Sequence, residues 1–467
     1  MVSRVTARPL VRPRFRRWAT VAGVCVGLLL AHTVWDYSEA SALKSALETW
    51  APDHGASRPR QPTATGRDAA PYYLAAGILA RRSPAYVARG IGNDRKALQQ
   101  DPPSAEVIDR VGATLADEEE VLRLLDRAAE LPFTGFGSAS TNLFDQLSAK
   151  LLASLRALHA AARGDGDAAV RSLITELSLE GSERSPMSTL TLDTWLLNWR
   201  SGTVDDIRTV LSRTAPSAAA LERLAAALAE ADEDTRIARF FERARERVIA
   251  AGFRRLGPYD GSFAEAGLFG DGLVEGRPGL FARVVRPLVA RDLRGRLQQH
   301  AALREAAAAP WPGRLDAILA AEAPARSIRR TLGPLAGLIY PQPDWVDAEP
   351  RVQRLQLEIA AVDIALVRAI RVAVAIERYR RDNRGQLPAA LTVLAPQYLE
   401  DLPVDPFSGG PMGLALTDAG YAVYSVGANG QDDGGTEVGA PPFPATGRYS
   451  EARMTGDVGV SIRLARD

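Results

Sequence analysis

Cysteine and histidine are scarce in this sequence, and their scarcity excludes several kinds of chemistry. The 467 residues include one cysteine, Cys25, and it lies inside an apolar segment. No intramolecular disulfide and no cluster of thiol metal ligands can therefore form. The histidines lack the HxxxH or HExxH spacing that is typical of zinc sites, and they are His32, His54, His159 and His300. Most zinc sites and most sites that use histidine as a base are excluded as well.

The sequence also lacks an excess of basic residues. It has 57 basic and 56 acidic residues, for a formal net charge of +1. Six of the arginines lie within residues 1–17, where there is no acidic residue; removing them leaves 51 basic residues against 56 acidic ones, a net charge of −5 for the remainder. A mildly acidic body lacks the basic surface on which nucleic acids bind. We therefore predict no nucleic-acid partner.

Recognisable catalytic motifs are missing too. The chain has no GxSxG and no cysteine–histidine set. Acidic runs such as Asp205-Asp206 and Glu118-Glu119-Glu120 lie on predicted helices, where we expect them to be solvated surface residues. We predict no catalytic residue and no enzyme. The alternative hypothesis is an extracytoplasmic hydrolase that uses dispersed Asp and Glu carboxylates, as a glycosidase does.

One long apolar run is present near the N-terminus. Residues 18–35 read WATVAGVCVGLLLAHTVW and carry no charged residue. As an α-helix this segment would be roughly 27 Å long, close to the thickness of a bilayer's hydrocarbon core. A tryptophan stands at each end, which is typical of membrane interfaces. Residues 18–35 are therefore predicted to be a transmembrane anchor.

The flanking charges predict how this anchor is oriented. Arginines precede it, and Asp36 and Glu39 follow it. The positive-inside rule places residues 1–17 in the cytoplasm and the bulk of the chain outside. A cleaved signal peptide is the competing interpretation, but the apolar run is long for one and no small-residue cleavage site is obvious after it. The arginine-rich and alanine-rich composition suggests a bacterium, so we predict a single-pass inner-membrane protein whose bulk is periplasmic or extracytoplasmic.

At this length about three structural units are expected beyond the anchor. Residues 36–68 read as a helical stalk followed by a linker rich in Pro, Gly, Ser and Thr, and residues 69–340 read as a helical domain. Ser104 and Asp167 are predicted to cap helices, and the Gly-rich turn before Asp167 predicts an αα-hairpin. No 34-residue repeat is present, so we predict irregular helical hairpins, either TPR-like or in a bundle. The predicted helices are 104–130, 141–163, 168–179, 204–213, 217–230, 233–251, 279–308 and 313–332.

Between two of these helices, residues 252–278 are rich in glycine. They match neither GxGxxG nor GxxxxGK[ST] in a strand-to-helix context, so they do not indicate phosphate binding. We predict a long loop, which either binds a partner or only connects the helices.

The C-terminal region, residues 350–467, has a different pattern. Apolar residues from Leu355 to Ile376 recur at spacings of four and three, which predicts a long helix that is buried on more than one side. Asn383 or Gly385 is expected to close it in the left-handed conformation. Alternating residues at 414–416, 421–426 and 458–464 predict strands, so the region reads as one long helix followed by a small antiparallel sheet.

Three strings in this region resemble a known family. ERYRRDNRGQLP, LAPQYLEDLPVDPFSGGPM and GYAVYSVGANGQDDGG occur in order within residues 355–435. They resemble the C-terminal region of type II secretion major pseudopilins, in which a Tyr-x-x-Asp-Asn-Gly signature, a DP turn and a Ser-x-Gly loop follow a long helix. Two features depart from that family. The anchor lies more than 300 residues upstream of the module, and Arg384 adds one residue before Gly385.

The resemblance implies a candidate calcium site, because major pseudopilins bind Ca²⁺ in the loop after this strand. The matching residues here are Asn429, Asp432 and Asp433. Carboxylate, amide and backbone oxygens on a flexible turn are suitable Ca²⁺ ligands. The competing interpretation is a polar turn whose carboxylates are solvated.

Together these observations predict a mainly α protein with a single transmembrane helix, a helical-hairpin domain and a small α+β module. The expected function is that of a membrane-anchored extracytoplasmic scaffold that binds envelope proteins. A link to type II secretion or envelope assembly is an expectation from the resemblance.

Overall fold

The computed structural model describes residues 13–54, 68–83, 91–131, 143–181, 190–232, 280–321, 350–435 and 456–464, with the separate positions 237, 238, 241, 242 and 245. The protein is mainly helical, with one small antiparallel sheet near the C-terminus, which confirms the predicted fold class. The helices are α1 (Pro13–His54), α2 (Ala70–Arg82), α3 (Ile91–Leu98), α4 (Ala105–Asp117), α5 (Glu119–Ala129), α6 (Leu143–Ala162), α7 (Gly166–Gly181), α8 (Leu190–Arg213), α9 (Ala218–Ala231), α10 (Leu280–Ala306), α11 (Arg314–Ala321) and α12 (Pro350–Asp382). A 3-10 helix (Leu391–Leu394) and the strands β1 (Gly413–Thr417), β2 (Gly420–Ser425) and β3 (Val458–Arg463) follow.

The chain divides into two compact units, and neither is continuous in sequence. The smaller unit comprises Met1–Ala56, Glu242–Ala302 and Glu322–Asp347. The larger unit comprises Ser57–Phe241, Leu303–Ala321 and Ala348–Asp467. The region predicted as one helical domain, residues 69–340, therefore contributes to both units.

Helix α1 dominates the described part of the smaller unit. It is a single helix through the predicted anchor and stalk, and its Thr20–Ala46 stretch is long and apolar enough to cross a membrane. In the same unit, Asp292 and Arg296 of α10 form a buried ion pair, with 2.8 Å between Arg296 Nε and Asp292 Oδ2. The i and i+4 positions of the pair place both side chains on one face of the helix.

In the larger unit, helices α2 to α6 enclose one hydrophobic core. Tyr73, Leu98, Leu125 and Leu155 are among its fully buried side chains. Helices α6 and α7 pack against each other, and the turn between them contains Gly164 at φ +79°. The predicted αα-hairpin is therefore confirmed.

The segment predicted as one helix, residues 104–130, is two helices. Ser104 caps α4 as predicted, accepting a hydrogen bond from the Val107 backbone N–H at 3.3 Å. The break occurs at Glu118, whose backbone leaves the helical region at φ −105° and ψ 18°. Its side chain is buried and accepts a hydrogen bond from the Ser83 hydroxyl, so a contact distant in sequence accompanies the break.

The cap predicted at Asp167 also needs correction. Asp165 holds the start of α7, because its carboxylate accepts the Ala168 backbone N–H at 2.9 Å. Asp167 instead accepts the Ser217 backbone N–H at 2.6 Å, one residue before α9 begins. The backbone N–H and the side chain of Ser217 lower the pKa of Asp167 below its usual value. Asp167 therefore links the α6–α7 turn to α9.

A second core lies around α12. All residues from 361 to 370 are buried, which confirms that this helix is covered on more than one side. The sheet order is β1-β2-β3, all antiparallel, with Val423 opposite Val460, so the predicted last strand completes the sheet. Residues of α6 to α9, such as Leu173, Ile207 and Leu224, belong to the same core as α12 and the sheet. The C-terminal module thus shares its core with four preceding helices.

The end of α12 agrees in part with its prediction. Gly385 takes the left-handed conformation at φ +84°, and its N–H bonds the Arg380 carbonyl at 2.7 Å. Arg384 also takes the left-handed conformation, at φ +54°, whereas Asn383 does not. Asn383 uses its side-chain amide to donate to the Tyr379 carbonyl at 2.8 Å.

Several predicted segments lie outside the described residues. They are residues 1–12 of the basic segment, linker residues 55–67, most of the helix at 233–251, the loop at 252–278, and residues 322–332 of the last helix of the helical domain.

Candidate functional site

The predicted calcium residues lie in the loop after β2. The Asn429 side-chain oxygen accepts the Gln431 backbone N–H at 3.1 Å, and its amide nitrogen donates to Asp433 at 3.4 Å. Asp432 Oδ1 accepts the Tyr424 hydroxyl at 3.0 Å and the Gly434 N–H at 2.9 Å. Burial and this carboxylate raise the pKa of Tyr424 to about 12. The loop's polar side chains therefore hold the loop itself.

A further carboxylate, Asp457, joins this loop from the residue before β3. It accepts the Asp433 N–H at 3.2 Å and the Gly435 N–H at 2.7 Å. Asp457 could not be predicted as part of this loop, because 24 residues separate it from Asp433 and the pairing of β2 with β3 brings them together. Its position immediately before an alternating strand is the one signal that could have indicated it.

The same geometry can be compared with the needs of a calcium ion, which binds six to eight oxygens. The amide nitrogen of Asn429, rather than its oxygen, faces Asp433, and Asp432 is turned toward Tyr424. Across the described ranges, no group of three or more His, Cys, Asp or Glu side chains is placed to hold a metal ion. As they stand, these side chains do not fit a cation. Calcium binding stays a prediction.

Asp405, in the DP turn, is the most heavily bonded carboxylate near this loop. It accepts the Phe407 N–H at 2.9 Å, the Ser408 hydroxyl at 2.8 Å, the Ser425 hydroxyl at 2.5 Å and the Val426 N–H at 3.2 Å. Four donors satisfy a buried carboxylate without a counter-charge. Two of the motifs that carry the resemblance, the DP turn and the Ser-x-Gly loop, are therefore joined by one side chain.

A buried polar cluster lies between helices α3, α6 and α8. Asp206 is completely buried and accepts hydrogen bonds from Arg95 at 2.9 Å, from Gln99 at 2.9 Å and from the Ser154 hydroxyl. Arg95 also donates to the Gly202 carbonyl at 2.7 Å. Burial raises the pKa of Asp206, and the neighbouring guanidinium opposes that rise. This arrangement pairs the charge inside the protein.

Next to this cluster, helices α6, α7 and α8 meet at a second buried group. Thr203 donates to Glu176 Oε1 at 2.8 Å, and Lys150 Nζ lies 3.9 Å from the same oxygen. Lys150 and Glu176 are both buried.

The predicted surface position of the acidic runs is therefore wrong for two of their members. Asp206 and Glu118 are buried, whereas Glu119, Glu120 and half-buried Asp205 reach solvent. Helical periodicity in the sequence could not indicate that Asp206 is buried, because its partner Arg95 lies 111 residues away.

One more carboxylate, Glu377, is partly buried and links α12 to the sheet. It accepts the Tyr421 hydroxyl at 2.7 Å and the Arg380 guanidinium at 2.7 Å. Burial raises the pKa of Glu377, while these two donors lower it. Asp206 and Glu377, the described carboxylates whose pKa burial raises, have no hydrogen-bonding partner in common.

The apolar part of α1 is the remaining candidate, as a surface for lipid. Its aliphatic side chains are more than half exposed from Val21 to Val34, with Leu28, Leu29 and Leu30 each above 60%. Soluble proteins rarely expose so continuous an apolar surface. Cys25 is exposed on the same stretch.

No family model, no curated protein and no solved structure matches the chain.

Proposed function

We propose that the protein is a membrane-anchored, extracytoplasmic interaction protein, held by residues 18–35 and carrying a pseudopilin-like module that binds envelope proteins. The observation that carries this proposal is the exposed aliphatic surface of α1, which has no cover within the described residues and matches a bilayer in length. A single span leaves the acidic bulk of the chain on one side of the membrane.

The charges on either side of the span support the orientation. Arginines fill the segment before residue 18, and Asp36 and Glu39 follow Trp35. Lys and Arg are retained on the cytoplasmic side of short N-terminal segments. Residues 1–17 then lie in the cytoplasm. The chain that follows the span lies on the outer side of a bacterial inner membrane.

The C-terminal module supports the choice of partner class. A long helix, a DP turn and a three-stranded antiparallel sheet occur in the order that the pseudopilin resemblance implies. Asp405 joins the DP turn to the Ser-x-Gly loop through Ser425 and Val426. A pseudopilin is continuous from its N-terminal membrane helix into this fold, whereas here α1 and α12 are separate. Reuse of the module to contact secretion or envelope-assembly proteins is therefore proposed in preference to packing as a pseudopilus subunit.

Carboxylates that are hydrogen-bonded inside the protein favour binding over catalysis. Three such carboxylates accept hydrogen bonds from donors within the protein: Asp206, Asp405 and Glu377. Such groups fix the relation between helices and strands, and they leave the exposed surface to make contacts.

Fractionation of cells tests the anchor and its orientation. The full chain is expected in the membrane pellet after alkaline carbonate washing, at full length, and to be digested by protease once the outer membrane is opened. The double substitution Leu28→Arg and Leu29→Arg should release it, because each central charge costs about 2.5–3.5 kcal/mol in a span. Leu79→Arg, at an exposed leucine outside α1, is the matched control and should stay in the pellet. A shortened soluble product would instead indicate a cleaved signal peptide.

Site-specific photocrosslinking tests the partner. A photoreactive residue at the exposed apolar positions Val393, Val404 and Leu416 is expected to capture the same envelope protein in repeated experiments. The control position is exposed Glu222 on α9. Failure to capture any reproducible partner from the three positions would count against the scaffold function.

A further inference from the structure

Helices α1 and α10 are joined by three polar contacts within the smaller unit. His32 Nε2 donates to the Val284 carbonyl oxygen at 3.0 Å. Arg286 Nε donates to Asp36 Oδ1 at 2.8 Å, and Arg294 donates to Glu39 Oε2 at 3.0 Å. The residue numbers of the contacting pairs increase together, so α1 and α10 run parallel. Helix α10 therefore begins near the bilayer and runs away from it, as the C-terminal part of α1 does.

The first of these contacts lies inside the apolar run. His32 precedes Trp35 by three residues, which places it about 4.5 Å deeper along the helix. The Val284 backbone sits at that depth. One turn of an α-helix spans about 5.4 Å. Leu280, where α10 begins, lies about one turn before Val284 and is therefore deeper in the bilayer by about that distance.

Two described side chains on this part of α10, Val284 and Leu288, are apolar and uncovered, and Arg286 between them pairs with Asp36. Val284 is 54% exposed and Leu288 is 38% exposed. Further along the same helix the exposed side chains include the polar residues Arg291 and Gln298. The apolar end of α10 is thus continuous with the exposed aliphatic surface of α1, which includes Leu30 and Val34.

We infer that the N-terminal turns of α10, Leu280–Leu288, lie in the outer boundary of the bilayer that α1 crosses. The occupant of this surface is lipid, because its apolar side chains lie at the depth of the α1 surface that lipid covers. The polar residue His32 then has a structural role: it binds a backbone carbonyl of α10 at a depth where such a bond is strong. This inference rests on the proposed anchor, and it adds a second lipid contact in the exported part of the chain.

Depth-dependent fluorescence quenching tests the inference on the full chain in vesicles. The vesicles contain phosphatidylcholine and phosphatidylglycerol, with a small fraction of lipid carrying a nitroxide near the top of its acyl chain. Native Cys25 is labelled first, as the reference inside the span. In a Cys25→Ser background, Val284→Cys is the test position and Gln298→Cys is the matched control on the same helix, about 21 Å further along. Circular dichroism should show that each labelled chain keeps the helicity of the parent.

The expected result is quenching at position 284 at least twofold stronger than at position 298, together with strong quenching of the label on Cys25. Quenching at Cys25 but not at 284 would overturn the inference and leave the anchor standing. Absence of quenching at both positions would overturn the anchor and the inference together. Protection of position 284 from aqueous iodide without lipid quenching would identify a second copy of the chain as the cover, and would also overturn it.

Discussion

Asp206 carries a buried charge in the larger unit. It is completely buried against Arg95, and removing one partner of a buried ion pair leaves an uncompensated charge. Asp206→Asn is expected to lower the free energy of unfolding by about 3–5 kcal/mol, measured by urea denaturation. The adjacent Asp205 is half exposed and pairs with Arg208, so Asp205→Asn should cost less than about 1 kcal/mol. Equal effects of the two substitutions would contradict the buried network.

Glu377 predicts a pH dependence of stability. Its pKa in the folded protein is raised above the ordinary value of 4.5, chiefly by burial. The folded state therefore holds the proton more strongly than the unfolded chain, so stability decreases as pH rises from the ordinary pKa through the raised one. Glu377→Gln keeps an acceptor for Tyr421 and should remove this part of the decrease. The measurement is the difference in unfolding free energy between parent and variant from pH 4 upward, and a difference that does not change with pH would refute it.

At the scale of single residues, the sequence identified the polar residues of the C-terminal loop but not their partners. Asn429, Asp432 and Asp433 were named from a local motif, and they do share one loop. Asp457 and the burial of Asp206 depend on contacts between distant elements. A side chain's type is local information, whereas its partner is fixed by tertiary packing, so the second could not be predicted.

Helix ends are where local sequence acts most directly at the scale of elements. Gly385 closes α12 at φ +84°, and a β-carbon there would meet open space. Gly385→Ala should therefore destabilise the protein by about 1–2 kcal/mol through backbone strain alone. Gly92→Ala, in α3 and also in open space, is the matched control and should be neutral or slightly stabilising because alanine favours helix. Thermal unfolding that ranks the two variants in the opposite order would contradict the assigned helix end.

Periodicity and capping residues predicted most elements because both signals are local. Helices at 141–163 and 217–230 have nearly the predicted bounds, and β3 follows its alternating pattern. The exceptions have tertiary causes. A buried hydrogen bond from Ser83 to Glu118 accompanies the break between α4 and α5. The Asp167 carboxylate accepts the Ser217 backbone N–H instead of capping α7.

At the scale of the whole molecule, the hydrophobic core crosses the boundary that the sequence pattern indicates near residue 350. Helix α12 is apolar on more than one side, which the sequence predicted without identifying what covers it. In the structure the cover is shared between the sheet and helices α6 to α9, with Leu173 and Ile207 among the contributors. Amphipathic periodicity reports how much of a helix is buried, and it carries no information about which distant helix buries it.

This shared core predicts that the C-terminal module does not fold alone. A fragment of residues 350–467 would expose to water the face of α12 that α8 and α9 cover, including Arg368, whose guanidinium bonds Asp232 after α9 at 3.2 Å. Exposing several buried aliphatic side chains costs about 1.5–3 kcal/mol each, which is comparable to the whole stability of a small domain. The isolated fragment should therefore lack cooperative thermal unfolding, and co-expression with residues 143–232 should restore it. A fragment that melts cooperatively without those helices would show that the pseudopilin-like module is an independent domain, and any test of calcium binding could then use it in place of the full chain.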